Sequence, residues 1–335
     1  MAARNVAIVK LSSIGDVVHA LPVAVALKRE QPGTRITWIA EAREATLLAG
    51  HPDVDEVIVA DTRGWRRSTN RVRALREALS LARRLRARGF DVALDLQGLL
   101  KSGMLTALTR APRRIGLAPA FRRERASVVF TNERVTPPSA ARHVVEQNLA
   151  LLGPLGVINR SVEFRLPIDA AAEARIEAFL AGAGIKAGDR LVLINPGAGR
   201  ADKRWPVESF GALARGLAGD MGARVVVLWG PGEDGDARAI AGAAPGGVAA
   251  PPTTLPDLAA LARRARLFVA GDTGPLHVAA AVGTACLALF GPTSGVRNGP
   301  YGAGHEVLVA PDGRLASILP ADALAAAAGL LDDVA

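Results

Sequence analysis

At 335 residues, half of them hydrophobic, the chain is long enough for two domains that each bury a core, and none of its apolar runs approaches the length of a bilayer span. Its formal charge of +9 at pH 7 points to anionic partners. A single cysteine, Cys286 in the apolar run CLALF, excludes a disulfide framework and reads as a buried thiol, and the short apolar stretch near the N-terminus is too brief for a signal peptide, so a cytoplasmic location is expected.

Residues 6–11, VAIVKL, form an apolar run that breaks into a small turn over 12–15. Val17, Val18, Leu21 and Val25 then recur at helical spacing, which predicts strand, loop, helix. In an open parallel sheet such a loop faces a ligand cleft, so Ser12, Ser13, Gly15 and Asp16 are candidate site residues. Asp16 has two readings, a carboxylate capping the helix or a base aimed into the cleft. Gln31-Pro32-Gly33 marks a turn, and residues 35–40 and 56–60 read as the next two strands. Asp53-Val54-Asp55 is a turn between them rather than a metal motif. Arg63, Arg66 and Arg67 surround Trp65 in a basic loop.

Residues 70–88 predict an amphipathic helix with Val72, Leu75, Leu79, Ala82 and Leu85 on its inward face and Arg73, Arg76, Arg83, Arg84 and Arg86 solvated. Gly89 ends it, and residues 91–95 follow as a buried strand. LQGLLKS at 96–102 is a second strand-to-helix loop, bringing Gln97, Lys101 and Ser102 toward the same cleft as Asp16. Arg113, Arg114, Arg122, Arg123 and Arg125 form a second basic loop cluster, and residues 140–152 a helix carrying His143. The stretch 153–190, with Pro154, Pro167 and one helix over 170–183, reads as the passage between domains. The alternation of strands and helices is that of a doubly wound α/β layer.

The second half repeats the first in kind. Strands are expected at 191–195, 224–229, 267–270 and 286–290, and helices at 207–221, 257–264, 276–282 and 320–331. PGAGRADKRWP at 196–206 sets Gly197 and Gly199 straight after a strand, then Lys203, Arg204 and Trp205 ahead of a helix. Glycines admit a phosphate to the backbone N–H groups and a lysine adds a mobile charge, so this is a phosphate cradle in outline or else a solvated Gly-rich turn. Neither the P-loop nor the dinucleotide spacing is present. In GDTGPLH at 271–277, Asp272 suits sugar hydroxyls and the Thr273 and Gly274 amides an oxyanion; Asp272 or Thr273 also suits a helix cap, and His277 a buried histidine. In WGPGE at 229–233, Glu233 reads as a ribose acceptor or an exposed turn carboxylate. The five histidines lack ligand spacing, so no metal and no cofactor is expected. Nucleic-acid binding would account for the charge, but the interleaved aromatics of single-strand binders are missing.

Taken together, KLSSIGDVVHALP at 10–22, LDLQGLLKS at 94–102, DKRWP at 202–206, WGPGE at 229–233, GDTGPLHVAAA at 271–281 and FGPT at 290–293 resemble glycosyltransferase family nine, the lipopolysaccharide heptosyltransferases, and lean toward its type I members. The resemblance implies a GT-B fold: two Rossmann-like domains facing across a cleft, an acceptor domain at 1–165 and an ADP-sugar donor domain at 166–319. It also puts residues 320–335 across both, packing back on the first. It implies inverting transfer of heptose from ADP-heptose to an anionic lipid, Kdo2-lipid A, at the cytoplasmic face of the inner membrane. Asp16 then matches the general base. Lys203, Glu233, Asp272, Thr273, Gly274 and His277 match donor-binding positions. Ala198 and Gly199 stand where two threonines are common, so backbone N–H groups replace two hydroxyls, and Thr253 stands where adenine often meets a methionine. Ser13, Gly15, Arg63, Arg66, Arg67, Gln97, Lys101, Arg123 and His143 fall on the acceptor side. Transfer to another acceptor, a nucleotide-sugar epimerase and a basic nucleic-acid-binding protein are the alternatives.

Overall fold

The computed structural model describes residues 5–159 and 161–332. The chain divides into two compact units between Pro167 and Ile168, two residues beyond the boundary expected from the sequence. The first unit holds β1 (Asn5–Val9), β2 (Arg35–Ala40), β3 (Glu56–Val59), β4 (Val92–Asp95), β5 (Arg113–Leu117) and β6 (Glu133–Val135) in a parallel sheet of order β3-β2-β1-β4-β5-β6. The second holds β7 (Leu191–Asn195), β8 (Arg224–Val227), β9 (Val248–Ala249), β10 (Leu267–Gly271), β11 (Ala285–Phe290) and β12 (His305–Val309) in a parallel sheet of order β12-β11-β10-β7-β8-β9. Read from the other edge, the second order is the first one repeated. Central strands such as β7 and β11 are buried along their whole length, as expected of parallel strands covered on both faces, which is why they read as continuous apolar runs.

In each sheet the chain leaves the first strand in one direction and later returns on its other side. The switch points therefore fall between β1 and β4 and between β7 and β10. The loops at the carboxyl ends of these strands diverge and leave a crevice for a ligand. They are the loops that carry Asp16, Gln97, Lys203 and Asp272.

Several elements differ from expectation. The opening helix is two helices, Ile14–Val18 and Leu21–Glu30; Pro22 lacks the N–H to continue the first one and sits in the opening turn of the second, where that loss is harmless. Arg113 and Arg114 are not in a loop but open β5. In the Arg71–Ala87 helix only Leu81, Ala82 and Leu85 are buried, whereas Val72 and Leu75 are each 60% exposed and Leu79 49%. Its apolar residues follow two faces, and the sheet covers only one. The C-terminal helix Pro320–Asp332, expected to pack back on the first unit, clusters with the second. Its Ala323, Ala326, Ala327, Leu330 and Leu331 are buried in the core of the second unit with Leu213, Leu217 and Leu289, because its narrow alanine face suits close packing on the Val207–Met221 helix, where Gly216 lies against Leu324.

Candidate active site

At the β1 switch point, Ser13 is the N-cap of the Ile14–Val18 helix and Asp16 its third residue. The Ser12–Ser13 peptide is cis. Asp16 is thus not the cap itself. Its Oδ2 accepts from the N–H and the Oγ–H of Ser13 at 2.9 and 2.8 Å, and its Oδ1 lies 3.5 Å from Lys10 Nζ. Lys10 is buried and donates to the Leu96 carbonyl at 2.8 Å, which fixes the ammonium under the carboxylate. Burial draws the Asp16 carboxyl upward, but the Lys10 charge and the Ser13 hydrogen bonds outweigh it and hold the group below its ordinary value. With 46% of its side chain open, Asp16 is an ionised carboxylate with spare lone pairs facing solvent. Gly15 is buried in the first turn and Ser13 is exposed beside it.

Gln97 is placed next to this loop but its amide is already engaged. The Leu11 N–H donates to Oε1 and Nε2 donates to the Ser12 carbonyl, both at 2.8 Å. It therefore ties the β1 loop to the β4 loop. Asp95 supports it from below: its Oδ1 accepts the N–H groups of Gln97 and Gly98 at 3.1 Å each, and its Oδ2 lies 3.4 Å from Arg122 Nη1, both side chains being fully buried. Arg122, read from sequence as part of a basic loop cluster, is an internal strut that also donates to Thr131 Oγ1 at 2.7 Å.

The other basic residues separate into paired and open ones. Arg63 lies 3.2 Å from Glu44, and Arg113 bonds Glu133 at 2.7 and 2.8 Å. Arg66 and Arg67, at the end of the Thr62–Arg67 helix, and Arg123 are exposed. Lys101 reaches to 3.6 Å from Glu41, a buried carboxylate just past β2 that also accepts from the Thr62 hydroxyl. Sequence reading missed Glu41 and Glu44, because a glutamate after a strand looks like an ordinary solvated turn. The available signal was their place at the carboxyl end of β2, beside β1. His143 is the N-cap of the Val144–Ala150 helix, its Nδ1 accepting the Val145 N–H at 3.1 Å, and its ring meets His19 edge to face at 5.2 Å.

In the second unit Lys203 donates to Asp272 Oδ2 at 2.6 Å, Thr293 Oγ1 donates to the same oxygen at 2.8 Å, and His277 Nε2 lies 3.4 Å from Oδ1. Burial raises the Asp272 carboxyl, yet His277 and Lys203 together hold it far below the carboxylate range. Asp272 is thus the anchor that aims Lys203, with its own acceptor capacity largely taken. Thr273 is the N-cap of the Gly274–Ala281 helix, and its buried Oγ1 has no hydrogen-bond partner among the described residues. Gly274 opens that helix, where N–H groups lack intrahelical acceptors.

Glu233 is likewise engaged. Its Oε1 accepts from Arg204 Nη2 at 3.1 Å and its Oε2 from the Gly230 N–H at 2.9 Å. Arg204, which the sequence places in the Gly-rich loop without a separate role, also donates to the Ala198 carbonyl at 3.1 and 2.9 Å. A Cβ on Gly197 would lie 2.0 Å from Glu233 Oε2, so only glycine lets that carboxylate fold over the β7 loop. Pro196, Gly197, Arg204, Trp205, Val207 and Glu233 help to line a cavity of about 230 Å³. Ala198 is buried, Gly199 exposed and Thr253 half-buried, while Thr254 caps the Leu255–Arg264 helix. A larger cavity, about 650 Å³, lies at the amino-terminal ends of the second sheet's strands, where Leu191, Ala285 and His305 begin them, and so at the end opposite the loops that carry Lys203, Glu233 and Asp272.

The sequence model of glycosyltransferase family 9 (heptosyltransferase) matches residues 78–318. The chain is 30% identical to lipopolysaccharide heptosyltransferase 1 of Escherichia coli K12, covering 92% of this chain and 94% of that one. It is 31% identical to lipopolysaccharide heptosyltransferase 1 of Pseudomonas aeruginosa, covering 89% and 81%. The solved structure of the E. coli heptosyltransferase WaaC with ADP superposes with a TM-score of 0.82 at 28% identity, over 99% of this chain and 100% of that one. Two parallel six-stranded α/β layers of the same strand order, matched along their full length to a heptosyltransferase structure, are the GT-B fold. By this fold and by the family pattern that spans most of its length, the chain belongs to glycosyltransferase family 9 (heptosyltransferase).

Proposed function

We propose that this glycosyltransferase moves L-glycero-D-manno-heptose from ADP-heptose onto Kdo2-lipid A, with inversion and without a metal, at the cytoplasmic face of the inner membrane. The observation that carries the reading is Asp16: an ionised, half-open carboxylate clamped by Lys10 and Ser13 at the carboxyl end of β1. In this reaction the acceptor hydroxyl gives its proton to Asp16 as its oxygen attacks the anomeric carbon, and the ADP oxygen leaves with the bonding pair from the opposite face. Lys203, aimed by Asp272, and the amides of Thr273 and Gly274 meet the charge that develops on the departing diphosphate. Glu233 and the Ala198–Gly199 backbone hold the ribose and phosphates, and Thr253 borders the adenine, with His277 steadying Asp272 behind them. Arg63, Arg66, Arg67, Arg123 and Lys101 draw in the acceptor carboxylates and phosphates, with Ser13 and Gly15 at the mouth and Gln97 and His143 shaping it.

The donor assignment draws support from the E. coli relative, which is described in complex with ADP and, separately, with ADP-2-deoxy-2-fluoro heptose. Purified protein incubated with ADP-heptose and Kdo2-lipid A should give a product heavier by one heptose, read by mass spectrometry. Folded protein that binds ADP yet leaves Kdo2-lipid A unchanged refutes the acceptor, and transfer to a core already carrying heptose would replace it.

A further inference from the structure

We propose that the outward face of the Arg71–Ala87 helix is a docking surface for an anionic lipid bilayer. At 100° per residue, Val72, Leu75, Arg76, Leu79, Arg83 and Arg86 fall within an arc of about 100°. All six are exposed; the buried Leu81 and Leu85 lie on the other side of the helix, and the buried Ala82 marks the border of the arc beside Leu75. The arc contains no acidic residue. Glu77, off the arc, is taken up by Arg73 at 2.8 Å and by the Trp65 indole at 3.1 Å. On the Leu100–Leu108 helix that packs against this one, Leu100 and Met104 are likewise 45% and 53% exposed.

A helix that buries one face in its own sheet has no need of leucines on the opposite face. Three apolar side chains interleaved with three arginines suit the boundary between headgroups and acyl chains: the leucines enter the apolar side while the arginine stems reach back to phosphate level. The charge fits an anionic surface and does not fit a second copy of this chain, since a two-fold contact through the face would set its arginines against each other. With no transmembrane-length apolar helix among the described residues, attachment through this face is reversible and electrostatically tuned. The inference is independent of the acceptor assignment and is tested without it.

The full chain should co-sediment with vesicles of phosphatidylethanolamine and phosphatidylglycerol that contain no glycolipid. It should stay in the supernatant with phosphatidylcholine alone, and lose binding as salt rises. Arg76→Gln with Arg83→Gln should weaken partitioning roughly thirtyfold, from the usual contribution of a basic side chain near an anionic surface. Leu75→Ser with Leu79→Ser should weaken it as well, at every salt concentration. Because all four side chains are exposed, both variants should keep the parent melting temperature. Failure of the parent to bind the anionic vesicles, or variants that bind as the parent does, overturns the proposal. So does a parent that dimerises through this face and is made monomeric by the same substitutions.

Discussion

At the scale of residues, the two central carboxylates are held in the same way but left with different room. Asp16 receives Lys10 from one side and Ser13 from the other, with half its surface left open. Asp272 receives Lys203, Thr293 and His277 and is nearly closed. An open ionised carboxylate is available for proton transfer, and a closed one positions its partner. Asp16→Ala should therefore lose turnover by roughly 100- to 10,000-fold while titration calorimetry finds ADP affinity unchanged. Lys10 lowers the Asp16 pKa, so the acid limb of kcat/KM should lie below the ordinary carboxylate range, and Lys10→Met should move that limb to higher pH. A limb that stays in place in the variant would mean that Lys10 does not tune the base. Asp16 was legible as a candidate because its loop interrupts a clear strand-to-helix pattern. That Ser13 and not Asp16 caps the helix depends on one turn of backbone that the pattern does not specify.

At the scale of elements, the β1 and β4 loops are joined by a chain of buried polar groups. Gln97 bridges Leu11 and Ser12, Asp95 holds the backbone of Gln97 and Gly98, and Arg122 reaches Asp95 from the segment after β5. Removing the arginine leaves a carboxylate with no countercharge in a site closed to water. Arg122→Met should cost about 3 kcal/mol or more of stability, measured by urea denaturation. A loss below about 1 kcal/mol, the scale of a surface pair, would show that the strut is dispensable. On the proposed mechanism the same variant should raise KM more than Asp16→Ala does, because it loosens the β4 loop proposed to face the acceptor and leaves Asp16 in place. From sequence, Arg122 was one more arginine in a basic loop; its burial is set by the space left over Gly116, whose Cβ would stand 2.4 Å from Arg122 Nη2.

At the scale of the whole molecule, acid should act through the carboxylates whose folded pKa is depressed. Asp272 is the leading case: its contribution is fully present above the unfolded aspartate value and is lost as pH falls through the folded one. Lys203→Met raises that folded value and makes the contribution smaller. In urea melts the variant should be less stable than the parent at pH 7, and the gap should narrow toward pH 3, where Asp272 takes up its proton in the folded variant while it stays ionised in the folded parent. A gap independent of pH would separate Lys203 from the Asp272 ionisation. The two parallel layers, the switch-point loops and most strand positions were determined by the sequence alone, since strands buried on both faces must read as apolar runs and the helices between them must repeat at 3.6 residues. Only the tertiary structure decided which polar groups are already used. Glu233 and Asp272 are occupied by Arg204 and Lys203, the latter pair 69 residues apart; the leucines at 75 and 79 face outward, and the last helix closes the second core. The physical reason is common to all of these: periodicity along a chain states that a side chain is apolar or polar at a given face, whereas its partner is supplied by a segment folded back from far away.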